Sequence, residues 1–214
     1  MKTSIVWFKT DLRLHDNETL IKAIAQSDQI IPVYCFDESH FAETNFGFMK
    51  TGNFRAQFLL ESLVDLDKNL RELGSGLLVL KGKPELEIPK IVQQFKSTKV
   101  FAKREVSYEE KQTETLVQTA LFKLKCELLT FSTSTLYHAE DLPFSIKDIP
   151  DVFTNFRKKT EKDAIIREAF DAPTEIKSPE IPQLFLPTLE ELNLTFTPID
   201  SRAVVPFKGG ETEA

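Results

Sequence analysis

Five short apolar runs, separated by four stretches of helical periodicity, govern the first two-thirds of this chain. The runs are Ser4–Phe8, Ile30–Phe36, Leu77–Lys81, Lys99–Lys103 and Cys126–Phe131. Ile30–Phe36 (I-I-P-V-Y-C-F) is apolar at nearly every position, as a strand covered on both faces must be. The longest intervening stretch, Asn53–Leu73, places Leu59, Leu63, Leu66, Leu70 and Leu73 three and four apart. That stripe is too short and too isolated for a coiled coil, and suits a helix packed on a sheet. Boundaries are marked as well. Asp16 or Asn17 caps Asn17–Ala25, Gly74-Ser75-Gly76 stops the long helix, and Pro84 opens the next. Pro89 inside that helix predicts a kink. Ser107–Lys125 turns Val117, Leu121 and Leu124 inward. This alternation predicts an open, parallel, doubly wound α/β sheet with helices on both faces. Ligands of such sheets bind beyond the carboxyl ends of the strands, near the point where strand order reverses. Attention therefore falls on the residues that follow strands one, two and four.

The alternation fades from Ala164 onward. Pro173, Pro179, Pro182, Pro187, Pro198 and Pro206 are six of the chain's eleven prolines. They predict an extended connector rather than a second core. Its apolar residues Phe185, Leu186, Leu189, Leu192 and Leu194 suggest that it packs along a surface.

Several chemistries lack their residues. No Gly-x-Gly-x-x-Gly follows the first run, and there is no phosphate-binding Gly-rich loop. His15, His40 and His138 do not stand at metal-ligand spacings. No Ser-His-Asp or Cys-His set sits at strand ends. Cys35 and Cys126, the only cysteines, read as small buried hydrophobes and not as a disulfide framework. The net charge of −6 argues against nucleic-acid binding by this chain alone. The start, Met1-Lys2-Thr3, shows no signal-peptide pattern, and no apolar run approaches membrane-spanning length. A cytoplasmic setting is the expectation.

What remains is a set of polar residues at the expected strand ends. Lys9, Asp11, Arg13, His15 and Asp16 follow strand one; Asp37 and Glu38 follow strand two. They form either a salt-bridged cap, in which Asp11 and Arg13 pair with each other or with another part of the protein, or a polar wall for a ligand. Glu105 follows strand four. A carboxylate there can accept two parallel hydrogen bonds from a flat heterocycle, or it can simply favour the dipole of the helix beginning near Ser107. Arg157, Lys158, Lys159, Lys162 and Arg167 read as a solvated helix face rather than a phosphate patch, given Glu161 and Asp163 among them.

The order of motifs adds a resemblance. V-W-F-K-x-D-L-R-x-x-D-N at the start, R-A-Q-F-L-L-E-S-L-x-D-L from Arg55 to Leu66, R-E-V from Arg104 to Val106 and G-G-E at Gly209–Glu211 resemble the DNA photolyase/cryptochrome family. Ser134–Phe144 and Asp151–Glu161 look most like its cryptochrome-DASH branch. The resemblance implies a Rossmann-like antenna domain at 1–135, an interdomain linker with a short helix at 136–205, and the start of a helical FAD-binding domain at 206–214. Family members place FAD, damaged DNA and an electron relay of tryptophans in that helical domain. The reduced flavin donates an electron that splits a cyclobutane pyrimidine dimer, a carbon–carbon lyase reaction.

The α/β domain supplies half a cleft for an antenna chromophore, often methenyltetrahydrofolate. The resemblance carries the pterin contact over to Glu105 only; Lys9, Asp11 and Asp37 are further candidate cofactor contacts by their place at the strand ends. The family often carries Arg where this chain has Lys9, and Lys lacks the planar fork for bidentate contacts. Trp7 lies in a core strand and is no relay. The chain alone is thus expected to be catalytically inert, to retain no antenna, and to partner the helical FAD domain. Residues after about Pro187 are expected to make few long-range contacts, and Pro206–Ala214 to be mobile or held only by crystal or partner contacts. Two other readings stand beside this one: a blue-light signalling domain that serves protein contacts, and a nucleotide-binding α/β domain of the adenine-nucleotide alpha-hydrolase type.

Overall fold

The computed structural model describes residues 2–198, 200, 202 and 207–214. Strands β1 (Thr3–Phe8), β2 (Gln29–Phe36), β3 (Leu78–Lys81), β4 (Lys99–Lys103) and β5 (Glu127–Phe131) form one sheet in the order β3-β2-β1-β4-β5. Every pairing is parallel. The doubly wound α/β expectation holds. Phe8, Phe36 and Phe131 end their strands, and Arg104 directly follows β4, so all four stand at the carboxyl edge.

Side-chain alternation along the strands assigns the helices to faces. Val6 and Phe8 of β1, with Ile30, Phe36 and Phe101, point to the side covered by α1 (Glu18–Gln26) and α2 (Asn53–Glu72). Ile5 and Trp7, with Ile31, Val33, Val100 and Ala102, face α3 (Pro84–Phe95) and α4 (Tyr108–Lys123). Helix α1 is capped by Asn17, whose Oδ1 accepts from Leu20 N at 3.0 Å. Helix α2 ends at Gly74, which takes φ +90° and would strain any side chain. Helix α3 runs through Pro89 as one element, so the expected kink does not divide it.

The linker carries the expected short helix, α5 (Phe153–Asp163), and beyond it the extended connector is anchored repeatedly along the surface. Ile30 N donates to Lys177 O at 2.9 Å, and Ile176 N to Leu73 O at 2.8 Å. Past Pro187 the expected scarcity of long-range contacts does not hold. Leu192 and Leu194 are buried in the α1–α2 side of the core, because exposed leucines would forfeit their burial energy. Asn53 Nδ2 donates to Thr197 Oγ1 at 3.0 Å. Phe185 is the exception, left 80% exposed while Leu184 packs in its place. Pro206 lies outside the described residues. The part of the expected mobile end that is described, Phe207–Ala214, is held by contacts at Gly209, Glu211 and Thr212.

Candidate functional site

The strand order reverses between β1 and β4. The chain leaves β1 through α1 towards β2 on one side, and leaves β4 through α4 towards β5 on the other. Ligands of open α/β sheets settle beyond the carboxyl ends at this crevice. Lys9 and Thr10 stand just past β1, and Lys103 to Glu105 at and beyond the end of β4.

Lys9 falls on the same face as Ile5 and Trp7, towards α4. Its Nζ donates to Lys103 O at 2.9 Å and to Glu114 Oε2 at 3.1 Å, and lies 4.3 Å from the Trp7 ring centre. The Lys9 and Glu114 side chains are only 11% and 18% exposed. An ammonium so sheltered needs an acid and a carbonyl to replace water, and Trp7 adds a cation–π contact. Beside it runs a short relay. Lys103 Nζ donates to Thr10 Oγ1 at 2.6 Å, and the Thr10 hydroxyl donates to Glu105 Oε1 at 3.2 Å. Lys103 Nζ also stands 3.8 Å from that same oxygen. Glu105 Oε2 makes no hydrogen bond to a described residue.

Glu105 is therefore aimed and partly sheltered, with one carboxylate oxygen committed and the other free for a donor. Exposed Val106 and Tyr108 follow it in the chain, and Gln112 holds the Tyr108 hydroxyl at 2.6 Å. A flat heterocycle carrying adjacent N–H groups fits a carboxylate in these surroundings. Glu105 contacts Thr10 after β1 and Lys103 of β4; its contacts do not extend to the residues after β2.

Asp11 and Asp37 serve the backbone. Asp11 is buried, and its Oδ1 accepts from Lys9 N at 3.0 Å. Asp11 and Arg13 do not pair with each other. Arg13 bonds the carbonyls of His15 and Asp16 and the Asp16 carboxylate instead, which leaves the inner position to Asp11. Asp37 is also buried and caps a short 3-10 turn at Glu38–Phe41, accepting from Ser39 N at 2.8 Å. It follows β2, away from the reversal. Thr10, Lys103 and Glu114 complete the cluster although the sequence reading did not single them out. The signal for Glu114 was indirect: a lysine on the apolar face of β1 needs a carboxylate opposite.

A concavity of about 610 Å³, lined in part by Ile24, Asp28, Glu175 and Lys177, lies at the amino end of β2. It is a groove beside the connector, at the wrong end of the sheet for a ligand of this fold.

Burial raises the Asp11 carboxyl above its ordinary value of 3.8, against the Lys9 amide and the charges of Lys103 and Lys9. With the folded value above the unfolded one, its stabilising contribution is complete below 3.8 and is lost as pH rises through the folded value. Asp11→Asn keeps an acceptor for Lys9 N and removes this dependence. Urea unfolding should show the variant more stable than wild type at neutral pH, with the difference shrinking towards pH 3.8. A difference that grows on acidification would contradict this.

Residues 4–179 match the DNA photolyase family model, and the chain belongs to that family. It is 44% identical over 214 residues to a cryptochrome DASH of Gloeobacter violaceus, covering 99% of this chain and 42% of that protein. A blue-light photoreceptor of Arabidopsis thaliana is 40% identical over 218 residues, covering 100% and 48%. Among solved structures, a Synechocystis cryptochrome superposes with TM-score 0.92 at 42% identity, covering 99% of this chain and 44% of that one. An archaeal photolyase from Sulfolobus tokodaii shares the fold, with TM-score 0.74 at 24% identity over 99% and 44%. The chain thus spans less than half the length of these relatives.

Proposed function

We propose that this chain is the light-harvesting α/β domain of a DASH-type cryptochrome or photolyase, and that its antenna is a pterin of the methenyltetrahydrofolate type. The observation that carries this reading is Glu105, sheltered to 12% exposure beside Lys103 at the strand-order reversal. When bound, the pterin absorbs near-ultraviolet light and passes its excitation to a flavin. Glu105 would accept the ring N–H groups, and Lys103 and Thr10 would keep its carboxylate aimed. Lys9 and Asp11 would shape the floor of the site, and Asp37 its margin at β2.

The domain limits follow the same proposal: α/β domain to about residue 135, linker to 205, and a helical FAD domain continuing from 206. That domain would be the covalent partner, would hold FAD, and would contact damaged DNA. Photorepair would be a property of the whole protein and not of this chain. Among the described residues no helix is long and apolar enough to cross a membrane.

The reading is tested with the protein at the full length of its relatives, expressed with a folate supply. It should carry a near-ultraviolet band beyond that of its flavin, and exciting that band should produce flavin emission. A flavin-loaded protein with no such band, even after folate is added, would sink the antenna role.

A further inference from the structure

The contacts of Gly209–Thr212 form one connected seat. Gly209 N donates to Glu61 Oε2 at 2.8 Å, Thr212 N to Asp65 Oδ2 at 3.1 Å, and Asn69 Nδ2 to Thr212 Oγ1 at 3.3 Å. Glu61, Asp65 and Asn69 are successive i, i+4 positions on one face of α2. The two glycines are required there. A Cβ on Gly209 would stand 2.0 Å from Phe58 O, and one on Gly210 would stand 2.7 Å from Asp65 Cβ at φ +122°.

So seated, the segment delivers Glu211 to the turn after β1. Its Oε2 accepts from Leu14 N at 2.7 Å and its Oε1 from His15 N at 2.8 Å. These two amides find no partner within their own turn, and a carboxylate satisfies both in one geometry. The bonds then continue inward. Arg13 N donates to Asp11 O at 2.8 Å, Asn17 Nδ2 donates to the carbonyls of Asp11 and Arg13, and Asp11 Oδ1 holds Lys9 N. Gly209–Thr212 is thereby linked to the backbone of Lys9.

We propose that Gly209–Thr212 is a clip that fixes the turn from Lys9 to Asp16, and that Glu211 is through it a positioning residue for the candidate antenna site. The functional consequence rests on the antenna reading; the clip does not.

The test uses this chain with two variants. Glu211→Gln replaces one acceptor by a donor facing an N–H. Gly209→Ala breaks the seat while leaving every charge in place. Amide exchange should quicken at least tenfold at Leu14 and His15 in both variants, and measurably at Lys9. Trp7, the only tryptophan, packs against Lys9 Nζ, so its quenching by acrylamide should rise in both while circular dichroism shows retained fold. Should Gly209→Ala fail to fold, Glu211→Gln alone decides. Unchanged exchange at Leu14 and His15 in folded Glu211→Gln overturns the clip. Faster exchange there, with Lys9 and Trp7 unmoved, overturns the positioning role. Neither readout involves a bound folate or flavin, so failure here and failure of the antenna reading are separable.

Discussion

Phe101→Ala should cost about 3–5 kcal/mol of unfolding free energy, the range for emptying a large aromatic from a packed core. Phe101 sits mid-strand on β4, next to β1 and β5, and is fully buried. Its ring lies nearly parallel to that of Phe131, with centres 6.3 Å apart. The backbone at Phe101 is fixed by ladders on both sides, so the space left cannot close by shifting β4. Guanidinium unfolding of wild type and variant gives the difference. A loss below about 1 kcal/mol would mean that α1 settles into the gap, as relaxation of the surroundings is what lowers such costs.

Asp67→Ala is the polar counterpart. Asp67 is buried on α2; its Oδ1 accepts from Leu77 N at 2.8 Å and its Oδ2 from Arg71 Nε at 2.8 Å. It therefore fastens the long helix to the chain entering β3. Alanine leaves a buried N–H without a partner, a cost of about 1–3 kcal/mol. The Arg71 pair adds little, since that side chain is 38% exposed. Asp67→Asn keeps an acceptor for Leu77 and should lose less than half as much. Equal losses for the two variants in urea titrations would show that the charge, not the amide contact, matters at this position.

The sheet was legible because period-two and near-continuous apolar runs admit few alternatives, and Asn17 and Gly74 mark helix ends by their own chemistry. Strand order was not written in the same way. It depends on which helix crosses which face, so the residues alone do not rank Asp37 after strand two against Glu105 after strand four. The resemblance singles out Glu105, and the reversal between β1 and β4 stands beside it rather than beside Asp37. Glu114 was hidden among Glu109 and Glu110 on one helix; burial beside Lys9 distinguishes it. Gly209-Gly210-Glu211 is visible as a motif, but its seat on α2 is not. Its contacts with Leu14 and His15 join residues nearly two hundred positions apart, and no local pattern encodes such a pairing.

The pterin contact of Glu105 is tested most directly by titration. The protein at the full length of its relatives, freed of antenna, would be titrated with methenyltetrahydrofolate, as wild type and as Glu105→Gln. Hydrogen bonds to a charged acceptor are worth roughly 1.5–3 kcal/mol each, or about tenfold to a hundredfold in Kd. The expected result is a rise in Kd of that size with flavin content unchanged. A Kd within about twofold of wild type would contradict the account and return Glu105 to a favourable charge at the start of α4.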